Sequence, residues 1–120
     1  MTLDEAIAQV PNNQLGYAGV EALCEHLGGP KDGALNTLAL DIAARYMDGR
    51  VSFWDADGIA NSLFAYAVHI GVLPEPMFSV YLAFDAAESP AKGDCEGTTA
   101  ELKYTRPKLE RILSGEVPAA

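Results

Sequence analysis

The sequence predicts an all-α fold: a compact bundle of five to six short helices around a central helical hairpin, with residues 1–120 forming a single helical domain. Three observations carry this expectation. Apolar residues recur at spacings of three and four, the period of one helix face. Helix start and stop residues bracket those runs. No alternating β-branched run lies between hairpin turn signals, and 51–53 is too short to build a sheet.

The first helix is expected over 2–10, where Thr2 as N-cap and Glu5 three residues on make a capping box, and Leu3, Ala6, Ile7 and Val10 form an apolar edge. Pro11, Asn12 and Asn13 end it. A second helix over 17–27 turns Val20, Leu23, Cys24 and Leu27 inward and Glu21 and Glu25 outward, and stops at Gly28, Gly29 and Pro30. The third, over 31–47, aligns Leu35, Leu38, Ile42 and Tyr46, with Gly49 as its terminator.

The hairpin occupies 52–88 and holds the only Trp and most of the large apolar side chains. Ser52 is placed to accept a first-turn N–H, and Asp55 and Asp57 put negative charge at the positive end of the helix dipole. Ile59, Leu63, Tyr66 and Ile70 then form one line, with Phe64 and Val68 as a second beside it, and Gly71 closes the arm. Pro74, Glu75 and Pro76 set the turn. On the second arm Phe78, Tyr81, Leu82 and Asp85 share one line, and Met77, Val80 and Phe84 lie beside it. The average burial of tryptophan favours a core position for Trp54, and the sequence leaves open whether it is a core anchor or an exposed contact. Residues 89–104 are expected as an exposed loop, least periodic over 89–100. A last helix over 107–113 turns Leu109, Ile112 and Leu113 inward, with Thr105 or Arg106 near its N-cap, and 116–120 is a flexible tail.

A chain of 120 residues buries about two-thirds of the surface its unfolded form exposes, enough to fold without disulfides. No apolar run approaches the length of a membrane span, and the N-terminus carries acids where a secretory signal carries positive charge. A cytoplasmic location is therefore expected. Cys24 and Cys95 then remain thiols, the first in the core and the second in the polar loop. The formal net charge is −9. The first 100 residues hold 14 acids against 4 bases, net −10, and the last 20 hold 3 acids against 4 bases, net +1. Such a surface repels phosphate, which disfavours nucleic acid and anionic membrane and favours a basic protein partner.

Signatures of chemistry are sparse. Asp55, Ala56, Asp57 and Gly58 resemble part of a calcium loop, but that register puts Phe53 and Phe64 where the first and last ligands belong. Helix capping explains the same acids. His26 and His69 lie at helix ends, outside any zinc-binding spacing, so no metal or cofactor is expected. No nucleophile elbow or phosphate-binding glycine loop is present. Asp85 and Glu88 share a helix face at i, i+3 and, with a histidine, are the candidate residues of an alternative acid–base or metal-dependent enzyme. Asp85 also continues an apolar row, so it is expected half-buried and paired with Arg106, Lys103 or Tyr104, tying the last helix to the hairpin.

The segments Val80-Tyr81-Leu82-Ala83-Phe84-Asp85-Ala86-Ala87-Glu88 and Glu101-Leu102-Lys103-Tyr104-Thr105-Arg106-Pro107 resemble a pattern in small uncharacterised helical bacterial proteins. That resemblance covers the C-terminal third and implies a bacterial origin and no mechanism. In size and charge the chain is also similar to acidic immunity proteins that neutralise secreted toxins. The functional expectation is a non-enzymatic protein-binding module, most concretely an immunity or inhibitor protein against a basic toxin or nuclease, with Glu21, Glu25, Asp48, Asp55 and Asp57 as its acidic patch. A third possibility is a homodimeric helical scaffold, which the apolar excess on both hairpin arms permits; the sequence leaves the oligomeric state open.

Overall fold

Thr2 opens the chain's first helix by exchanging hydrogen bonds with Glu5. Its Oγ1 accepts from the Glu5 N–H at 3.3 Å and its own N–H donates to Glu5 Oε1 at 2.9 Å. The backbone bond holds the Glu5 carboxyl below the usual carboxylate range. The structure, a computed structural model, describes residues 1–10, 15–88 and 100–115. Among them the helices are α1 (Leu3–Gln9), α2 (Gly16–Leu27), α3 (Lys31–Met47), α4 (Phe53–Ile70), α5 (Met77–Glu88) and, after a π-helical turn at Glu101–Thr105, α6 (Arg106–Leu113). No strand occurs among the described residues, and the all-α bundle is the observed fold.

The helix boundaries follow local chemistry. Ser52 Oγ accepts from the Asp55 N–H at 3.2 Å at the start of α4. Gly71 ends that helix at φ +82°, a left-handed conformation that costs glycine little and other residues more. At the start of α5 Glu75 Oε1 accepts from both the N–H and the hydroxyl of Ser79 at 2.8 Å. The Met77 N–H donates to Asn36 Oδ1 of α3 at 3.0 Å, so a distant helix supplies part of this cap.

Helix α3 lies against the inner side of the hairpin and packs on α2, α4, α5 and α6. Leu35, Leu38, Ile42 and Tyr46 of α3, Ile59, Leu63 and Tyr66 of α4, and Met77, Val80 and Phe84 of α5 form the core. Burying each of the larger of these apolar side chains stabilises the fold by about 1.5–3 kcal/mol. Helix α1 reaches α4 at Gly58, where a Cβ would stand 2.6 Å from Val10 Cγ1. The glycine of the calcium-like segment is thus accounted for by close packing.

Several expectations need correction. Trp54 is 62% exposed: its neighbour Phe53 takes the inward position, and the two rings meet edge to face at 4.9 Å. Of the second line on α4, Phe64 is half-buried and Val68 is exposed. Leu113 is exposed on α6, whereas Leu109 and Ile112 are buried as expected. The expected loop at 89–104 is helical at its end, because Glu101–Thr105 wind into the π turn that runs on into α6. Thr105 therefore makes no side-chain cap on α6 and donates instead to the Ala83 carbonyl at 2.7 Å. Residues 89–99, with Cys95, the tail 116–120 and the side chain of Glu88 lie outside the described residues.

Candidate functional site

The five acids expected to form one patch are scattered. Glu21 and Glu25 are exposed one turn apart on α2 and share a face. Asp48 is exposed at the end of α3, where Arg50 Nη2 lies 3.2 Å from its Oδ2. Asp55 is half-buried in the first turn of α4. Asp57 is 3% exposed and accepts from Asn61 Nδ2 at 3.2 Å. It stands one turn beyond Phe53 on the buried side of α4, which withdraws it from any contact surface.

Asp85 is half-buried on α5, as expected, but it does not pair with Arg106. Arg106 lies over the Tyr46 ring, 5.4 Å from its centroid, with Nη2 3.5 Å from the Met47 carbonyl. The tie between the C-terminal segment and the hairpin is therefore the Thr105–Ala83 bond. Lys103 approaches the Tyr104 ring at 5.2 Å.

His26 and His69 occupy the last turns of α2 and α4. The hairpin is antiparallel and Phe64 stacks on Tyr81, so His69 lies toward the start of α5 and Asp85 toward its end. Asp85 and His69 are thus not brought together, and the Glu88 side chain lies outside the described residues. Among the described residues no three His, Cys, Asp or Glu side chains converge on a metal position. Nor, among the described residues, is any helix long and apolar enough to cross a membrane.

Two polar clusters escaped the sequence reading. In the first, Lys31 Nζ donates to the hydroxyl of buried Tyr66 at 3.0 Å, while Tyr17 stacks on His69 at 4.2 Å. The Tyr66 bond pushes the Lys31 ammonium above its ordinary range, and nearby Glu21 acts in the same direction. In the second, the hydroxyl of buried Tyr46 donates to Glu101 Oε1 at 2.6 Å. Burial, and then that bond, push its pKa up to about 12. Burial likewise pushes the Cys24 thiol up. Neither cluster carries a sequence signal, since the first joins residues from three separated segments and the second from two.

Arg45 Nε lies 3.0 Å from Asp41 Oδ1, and its Nη1 pairs with Asp4. This arginine borders a cleft of about 240 Å³ with Asp4, Ile7, Arg50 and Val51. A second cleft, about 300 Å³, lies between Val10, Leu15 and α4. No protein family, curated relative or solved structure matches the chain.

Proposed function

We propose that this chain is a non-enzymatic acidic protein-binding module, acting in the cytoplasm and most concretely as an immunity or inhibitor protein that occludes a basic toxin or nuclease. The supporting observation is the negative net charge together with the engagement of four of the eight cations. Lys31 is bonded to Tyr66, Arg45 to Asp41 and Asp4, Arg50 to Asp48, and Arg106 lies on Tyr46. Glu21 and Glu25 remain exposed on α2 of a chain whose net charge is −9. Such a surface speeds encounter with a basic protein and rejects polyanions.

The test is capture of partners from lysate of the producing cells on the immobilised chain, eluted by rising salt, beside the double variant Glu21→Lys, Glu25→Lys. The reading expects one basic protein retained in stoichiometric amount, released at raised salt and lost from the variant. Retention of no basic protein, or equal retention by the variant, defeats it.

A further inference from the structure

The outer side of the hairpin carries a second kind of surface. Phe64 and Val68 stand one turn apart on α4, and Phe78 and Leu82 one turn apart on α5, with Tyr81 beside them. The Phe64 and Tyr81 rings stack at 3.9 Å and 7°, and Phe78 runs nearly parallel to both, 5.9 and 6.3 Å away. The three rings are half-exposed, while Val68 is 56% and Leu82 42% exposed. Flat aromatic faces flanked by aliphatic side chains are what interface anchors are made of.

Neither α4 nor α5 carries a Lys or Arg, and the acid beside this surface is Asp85. Asp85 lies one turn beyond Tyr81 and Leu82, at the edge of the aromatic surface. We propose that this surface is the docking site for a cationic amphipathic helix of a partner protein, its apolar face laid on the Phe64–Tyr81 stack and its Lys or Arg side chains directed to Asp85. Such a helix matches a groove between two antiparallel helices, and its cations gain from ring faces as well as from the carboxylate. A second copy of the chain fits less well, because it would set two hairpins of the same sign face to face. The inference rests on the basic-partner reading and names the surface that such a partner would use.

The test is fluorescence anisotropy of a labelled helical peptide of about 18 residues, Leu and Phe on one face and Lys on the other, titrated with the full chain at about 0.15 M salt. A counterpart with Glu in place of Lys serves as control. Binding of the Lys peptide at least about tenfold tighter than the Glu peptide is expected. Val68→Lys and Leu82→Lys should each weaken it about tenfold or more, and Leu113→Lys, the same charge change on α6, less than about threefold. All three replace exposed side chains, and circular dichroism melting identifies any that unfold. Equal weakening by all three variants would overturn the groove while leaving the basic-partner reading intact. Failure of the Lys peptide to bind also overturns the groove, and lysate capture then decides the broader reading separately. Sedimentation as a dimer that Val68→Lys dissociates would assign the surface to a second copy and overturn the proposal.

Discussion

The hairpin arms contribute to two aromatic triads built on opposite principles. On the inner side Tyr46, Phe53 and Phe84 meet at interplanar angles of 72°, 66° and 53° with centroids 5.3–6.1 Å apart, and all three are buried. On the outer side Phe64, Phe78 and Tyr81 lie within 20° of parallel and are half-exposed. Edge-to-face rings interlock and fill volume in three directions, which suits a core. Parallel rings pack tightly in one direction only and leave ring surface toward solvent. The same two helices thus commit Phe53 and Phe84 to the core and leave the other set half-exposed.

Mutations on the two sides should separate these roles. The largest effect is expected for Phe84→Ala, which empties a fully buried position touching both Tyr46 and Phe53 and should cost about 3–5 kcal/mol in urea unfolding. A loss near 1 kcal/mol would show that the inner triad does not hold the core. Tyr46→Phe removes the donor to Glu101 and should cost about 1–2 kcal/mol at neutral pH. Its pH signature is sharper. The native phenol is pushed from 10.0 to about 12, so its contribution is complete below pH 10 and is lost as pH rises toward 12. Wild-type stability should therefore fall more steeply than that of Tyr46→Phe across this window, and parallel curves would show that the hydroxyl is not held this way. The smallest effect is expected for Phe64→Ala, about 1 kcal/mol, since its ring is half-solvated and its loss leaves no closed cavity. A cost matching Phe84→Ala would erase the distinction between the triads.

Much of the fold was legible in the chain. The bounds of α3, the Thr2–Glu5 box, the Ser52 cap and the Gly71 stop are local features, each decided within a few residues. The row assignment on α5 was not legible, because Met77, Val80 and Phe84 are no more apolar than Phe78, Tyr81 and Leu82. Packing against α3 chose the first row for the core. The same competition turned Phe53 inward and left Trp54 outside, against the average habit of tryptophan. Asp57 has the sequence of a capping acid and the position of a core residue. The π turn gave no advance signal, since its anchors, Tyr46 and the Ala83 carbonyl, lie far away in the chain.

The sequence by itself determined the all-α class, most of the helix ends and the negative sign of the molecule, because periodicity, capping and net charge are properties of short segments or of simple counts. Only the tertiary structure decided which apolar face of each hairpin arm became core and which became surface. That choice depends on the fit between helices distant in sequence, and two faces of equal hydrophobicity are told apart only by the partner that covers one of them.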